Sequence, residues 1–168
     1  MKKLNVISKL SIFILLVIVA VSSCKKVEDP YAAYTAESET AKLNEWKAKM
    51  KAGNLSYDST ATKIFYVIDK TKVGTGANVT AGNTVTVKYT GTFMDGAIFD
   101  SSESFSYVHK PTTGSRMIPG WEEGIELLNK GAKATFLIPS ALAYGSYGYY
   151  PIPPYSPLFF IIEVVDIK

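Results

Sequence analysis

The sequence predicts an α+β domain in which antiparallel strands surround one short helix. Three stretches carry that prediction. Thr84 to Thr90 alternates, with Val85, Val87 and Tyr89 on one face and Thr84, Thr86, Lys88 and Thr90 on the other. Leu158 to Ile167 is a long apolar strand with Leu158, Phe160, Ile162 and Val164 in one phase. Between them, Ile118-Pro119-Gly120-Trp121-Glu122-Glu123-Gly124-Ile125 breaks the chain and then turns helical. Trp121, Ile125 and Leu128 fall on one face of that helix, and its early Glu residues suit the positive end of the dipole. With Gly131 as its stop, the helix runs about three turns, too short to stand alone in water. It therefore has to lie in the concavity of a curved sheet, with the indole buried.

From the N-terminus, Lys2, Lys3 and Lys9 precede an apolar run from Leu10 to Val21, and Val21-Ser22-Ser23-Cys24 follows. This is the layout of an exported leader, and twelve apolar-rich residues are short for a membrane span. The tetrapeptide resembles a bacterial lipobox, so Cys24 is the expected site of lipidation. As the only Cys it has no intramolecular disulfide partner. Lys25 to Tyr34 reads as a tether. Thr35 to Lys51 reads as a helix striped by Leu43, Trp46 and Met50 and ended by Gly53-Asn54. Its expected role is a solvated spacer packed loosely on the main domain, with a dimerisation helix as the alternative. The expected boundaries are residues 1–23 for the leader, 24–57 for the tether and helix, and 58–168 for the main domain.

Within that domain, Ile64 to Ile68 is a strand, with a turn expected at Gly74-Thr75-Gly76. That Gly-x-Gly lacks the third Gly and the helix of a nucleotide loop. Asp95-Gly96 signals a hairpin leading into Ile98 to Ser102. Residues 103–115 read as a loop with an extended piece at Phe105 to Tyr107. Lys133 to Ile138 is a strand ended by Pro139, and residues 143–157 form a loop rich in Tyr, Gly and Pro.

Composition excludes several functions. The chain carries 18 basic and 15 acidic residues, and removing the three leader lysines leaves a neutral body. One Arg (Arg116) and no basic cluster give no electrostatic footprint for nucleic acid. No spacing suggests a metal site, no Ser sits in a nucleophile elbow, and the single His, His109, reads as a solvated loop residue without an acidic neighbour in sequence. Many aromatics instead stand beside turns, which suggests a pocket lined by rings.

Five blocks identify the chain as resembling the FKBP-type (macrolide-binding) peptidyl-prolyl isomerases. They are Val87-Lys88-Tyr89-Thr90-Gly91; Asp95 to Ser102; Met117 to Gly124; Ile138-Pro139 with Leu142-Ala143-Tyr144-Gly145; and Ile152-Pro153-Pro154 with Leu158-Phe159-Phe160. They follow the family's order and spacing over roughly residues 61–168. The resemblance implies a curved antiparallel sheet of five or six strands wrapped around one short helix. It implies a proline pocket floored by Trp121 and lined by Tyr89, Phe99, Phe105, Met117, Ile118, Ile152 and Phe160. In it, Tyr144 would donate its hydroxyl to a substrate carbonyl, the Ile118 N–H would receive another, and Asp100 would stand near the twisting bond. Tyr89, Phe99, Asp100 and Tyr144 are the candidate catalytic residues. Asp100 would act through its field, or else cap the following Ser101-Ser102 turn. Glu103-Ser104 occupy the place of an Arg that commonly pairs with this Asp, and Tyr149 stands where some members carry a His.

The implied activity is cis-trans isomerisation of X-Pro bonds in exported polypeptides, without cofactor or metal, open to macrolide inhibition. The implied location is outside the cytoplasm, anchored by lipid, with the outer membrane favoured because Lys25-Lys26 lacks an inner-membrane retention Asp. The alternatives are a non-catalytic module that holds proline segments in the same cleft and a glycan-binding lipoprotein using exposed Tyr. Clients and oligomeric state are not specified by the sequence.

Overall fold

A computed structural model describes residues 28–111 and 115–168. The leader and Cys24 lie outside the described residues, as does part of the loop before Arg116. The chain divides into two compact units, residues 1–32 and 33–168. Of the first, only a turn is described, in which the Asp29 carboxylate accepts the Tyr31 N–H at 2.9 Å.

The second unit opens with α1 (Ala36–Ala52), followed by β1 (Asp58–Ser59), β2 (Phe65–Asn78), β3 (Thr84–Thr92) and β4 (Ile98–Val108). Then come α2 (Pro119–Ile125), β5 (Asn129–Ile138), a 3-10 turn (Ser140–Leu142) and β6 (Leu158–Ile167). The strands form one six-stranded sheet in the order β1-β2-β5-β6-β3-β4, every pair antiparallel.

Alternation places the core. Val85 and Val87 from β3, Phe136 and Ile138 from β5, and Leu158, Phe160, Ile162 and Val164 from β6 are all buried on the inner face. Trp121, Ile125 and Leu128 meet them from α2 and the turn after it. Each such side chain contributes roughly 1.5–3 kcal/mol by leaving water. α2 sits against β5 because Gly120 has no side chain: a Cβ there would lie 2.3 Å from Ile138 Cγ2.

Several elements differ from the sequence reading. α2 has seven residues rather than three turns. Past Glu126 the chain tightens, with Leu127 N–H bonding Gly124 O at 3.2 Å and Leu128 N–H bonding Ile125 O at 3.0 Å, and strand pairing takes over at Asn129. Gly131 is therefore inside β5, not at a helix stop. Gly74-Thr75-Gly76 is not a turn between elements either, because β2 continues to Asn78 through irregular pairing with β5. Gly74 is required there by close approach: a Cβ would fall 1.9 Å from Asn129 Oδ1 and 2.7 Å from the Ala132 nitrogen. The expected loop at 103–108 is strand. β4 runs through Val108, and a bulge at Glu103-Ser104 lets Phe105 pair with Val87 after Ser102 has paired with Tyr89.

His109 overturns its reading as a solvated residue. It is fully buried, with Nδ1 against a Glu122 carboxylate oxygen and Nε2 2.9 Å from Glu126 Oε1. Ser115 Oγ holds the second Glu122 oxygen. Its acidic neighbours lie 13 and 17 residues away, one within α2 and one capping its C-terminal end. A carboxylate as enclosed as Glu122, 3% exposed, needs such partners to remain in the interior.

Candidate active site

Strand pairing brings the ring-bearing residues together. Tyr89 on β3 pairs with Ser102 on β4 and Ile162 on β6, and Gly91 pairs with Asp100 and Phe160. Tyr89, Phe99, Asp100, Phe105 and Phe160 are thereby collected from three adjacent strands, over the helix that carries Trp121. Tyr89 and Phe160 present their rings edge-on to the indole at 5.1 and 5.3 Å between centroids. Phe99 meets Phe160 at 5.5 Å, and Phe105 meets Tyr89 at 5.9 Å. Edge-to-face contacts of this kind suit the ring quadrupoles and fix the rings relative to one another.

Trp121 faces inward and is only 1% exposed. Its Nε1–H donates to the Tyr107 hydroxyl at 2.9 Å, which satisfies the one polar atom of a buried indole. Tyr107 in turn stacks on Phe105 at 5.6 Å. Sequence reasoning left Tyr107 off the site, although its alternation with Phe105 along one strand was the available signal. Ile152 and Phe160, each 5% exposed, belong to the core beside the indole. Tyr89, Phe99, Phe105, Met117, Ile118 and Tyr144 are half-buried, packed on the core yet within reach of solvent.

Asp100 lies within β4, opposite Gly91, so it caps no Ser101-Ser102 turn. Its exposed carboxylate accepts the Tyr89 hydroxyl at 2.7 Å. That contact supplies the partner the sequence left open, while Glu103 turns to Lys88 instead. Burial, reinforced by the Asp100 carboxylate, pushes the Tyr89 phenol well above its ordinary range. Burial and the same carboxylate raise Tyr144 as well, and burial raises Tyr107. All three phenols keep their protons at physiological pH; Tyr89 donates its own to Asp100, while Tyr107 accepts from Trp121.

Two donors near these rings have no protein acceptor among the described residues. Tyr144 stacks on Tyr149 at 5.6 Å, yet its hydroxyl forms no hydrogen bond among the described residues. The Ile118 carbonyl starts α2 by accepting the Trp121 and Glu122 N–H groups at 3.0 and 3.2 Å, while the Ile118 N–H remains uncommitted. Such a surface can bind an apolar ring and two carbonyl oxygens.

An open antiparallel sheet closed over one short helix, with that helix's indole beneath half-buried rings, defines an FKBP-like domain. The chain belongs to the FKBP-type peptidyl-prolyl cis-trans isomerase family, whose pattern matches residues 76–165. Over 112 residues it is 41% identical to the FKBP-type peptidyl-prolyl cis-trans isomerase FkpA of Aeromonas hydrophila, covering 66% of this chain and 40% of that protein. Over 99 residues it is 43% identical to the outer membrane protein MIP of Legionella longbeachae, covering 56% and 41%. The crystal structure of FkpA from Escherichia coli matches with a TM-score of 0.68 at 31% identity, covering 99% of this chain and 75% of that one. AtFKBP13 matches at 0.59 with 26% identity, covering 67% and 99%. The chain thus spans less than half the length of these two curated relatives.

Proposed function

We propose that this chain is a peptidyl-prolyl cis-trans isomerase that turns X-Pro bonds in the cleft above Trp121. The observation that carries the reading is the pairing of fixed aromatic rings with two unspent donors, Tyr144 O–H and Ile118 N–H. An X-Pro amide resists rotation because twisting breaks its C–N resonance, at a cost of about 18–20 kcal/mol. The planar amide is more dipolar than the twisted one, so moving both from water to an apolar cleft disfavours the planar form more. Phe99, Phe105, Trp121 and Phe160 would supply that medium around the pyrrolidine ring, with Met117 and Ile152 completing its walls. Tyr144 and Ile118 would hold the flanking carbonyls while the bond between them turns. Each 1.4 kcal/mol removed from the barrier raises the rate about tenfold.

Asp100 would act through its field and its grip on Tyr89, not as a base, since no proton has to leave the substrate. The proposed working domain is residues 58–168. Residues 1–23 would be removed as a leader, and residues 24–57 would follow, with lipid on Cys24 holding the domain outside the cytoplasm. Proline-containing exported polypeptides would be its clients, and a macrolide would compete for the cleft.

A protease-coupled assay on a short Xaa-Pro peptide tests the activity. Wild type should accelerate isomerisation, Phe99→Ala should lose most of it, and a macrolide should suppress it. Wild type no faster than Phe99→Ala would leave a binding module without catalysis.

A further inference from the structure

α1 is polar around most of its circumference and has no fully buried residue. Such a helix has little reason to stay folded in water unless something fixes it. Its N-terminus is closed by a capping box, Thr35 Oγ1 accepting the Ser38 N–H at 3.2 Å and Ser38 Oγ accepting the Thr35 N–H at 3.0 Å. Its attachment is made elsewhere. Trp46 packs on Tyr57, Phe65 and Phe159 with centroids at 4.8, 5.6 and 6.3 Å. Phe65 and Phe159 flank Leu137 in register across β2, β5 and β6, on the face of the sheet opposite α2. Phe65 and Leu137 are 6% and 1% exposed although neither belongs to the main core cluster. α1 therefore covers a second, outer apolar patch.

Seven residues before Trp46 is two turns of helix, so Glu39 points from the same face. Its two carboxylate oxygens take both donors of one residue: Oε1 accepts the Ser140 N–H at 2.6 Å, and Oε2 accepts the Ser140 hydroxyl at 2.6 Å. The contact joins residues 101 positions apart. Ser140 is the hub of the turn that presents Tyr144. Its carbonyl accepts the N–H groups of Ala143 and Gly145, both at 2.8 Å, and the Gly145 carbonyl then accepts Tyr155 N–H at 2.9 Å. Tyr144 hangs between two residues whose backbone is referred to Ser140, and Ser140 is referred to Glu39.

We infer that α1 is a working part of the isomerase and not a spacer, with Glu39 acting as a positioning residue. By gripping Ser140 it sets the turn that aims the Tyr144 hydroxyl at the substrate carbonyl. The inference rests on the proposed activity for its catalytic consequence, while the positioning itself is independent of that activity.

The test uses the full chain and four variants. Glu39→Ala removes both acceptors. Glu39→Gln can keep a two-point contact, its carbonyl accepting the Ser140 N–H and its amide donating to Ser140 Oγ. Tyr144→Phe removes the hydroxyl, and the fourth variant combines Tyr144→Phe with Glu39→Ala. Unchanged Trp fluorescence and circular dichroism would establish that α1 remains docked. Glu39→Ala is expected to lower kcat/KM on an Xaa-Pro peptide about tenfold, the worth of a hydrogen-bond pair to a charged group. Glu39→Gln should restore most of that loss. In the Tyr144→Phe background, Glu39→Ala should cost little more, because both changes disable one hydroxyl. Losses that multiply independently would overturn the inference. Amide exchange at Gly145 and Tyr155 decides the positioning even if the wild type proves inactive. Glu39→Ala should speed exchange at both sites, and unchanged exchange would also overturn the inference.

Discussion

Replacing His109 by Leu puts the interior of this domain to its sharpest test. Leu fills the space with an apolar group, as most core positions here are filled, so a view based on hydrophobicity alone expects neutrality or gain. The surrounding charges argue otherwise. Glu122 is 3% exposed, and among the described residues its carboxylate is held by His109 and Ser115. Removing the ring strands that carboxylate away from water and releases Glu126 as well. Breaking a buried pair from one side costs about 3–5 kcal/mol, a large fraction of the roughly 5–15 kcal/mol that holds a domain together. Urea unfolding followed by Trp fluorescence should show the midpoint falling by about 2 M, given a slope of roughly 2 kcal/mol per M. A companion variant, His109→Leu with Glu122→Met, removes both partners and should recover most of the loss. A single variant within about 1 kcal/mol of wild type, or a double variant as weak as the single, would refute the reasoning.

Two further outcomes follow from the same structure. Tyr89, Tyr107 and Tyr144 are all raised, chiefly by burial, so their phenolate absorbance should appear only above the usual value of about 10. Unfolded phenols lose their protons first as pH rises, so the stabilisation is complete below about pH 10 and is lost above it. The Tyr89→Phe, Tyr144→Phe double variant should show a shallower alkaline fall in its urea midpoint, and an identical fall would contradict the assignment. Gly120→Ala places a methyl 2.3 Å from Ile138 Cγ2, which should destabilise by about 1–3 kcal/mol and lower Tm, whereas an unchanged Tm would show that α2 can lift from β5.

What could be read from the sequence was whatever depends on near neighbours. The phase of Leu158, Phe160, Ile162 and Val164 is a period-two pattern, and all four are buried on one face. Asp95-Gly96 makes its hairpin through local chemistry, Asp95 Oδ1 accepting the Ala97 N–H at 2.9 Å and Gly96 taking φ 91°. Pro119 and Trp121 marked the start of α2 for equally local reasons. The helix end was misplaced because Leu127 and Leu128 look helical until β5 competes for the backbone at Asn129. Gly74-Thr75-Gly76 looked like a turn because nothing local reveals the pairing with β5, or that Asn129 fills the space where a Gly74 side chain would be. His109 was misread for the same reason, since its partners arrive from another element. The Glu39 contact with Ser140 was out of view for the same reason, since it joins two elements far apart in the chain. The ring cluster was legible only because family resemblance stood in for the missing long-range information.

The strand order carries one more consequence. β3 and β5 touch only through β6, the last strand in the chain. Without residues 158–167, no ladder would join β1-β2-β5 to β3-β4. Any lesion in β6 is therefore felt on both sides at once, because its two ladders, to β5 and to β3, are what join the sheet.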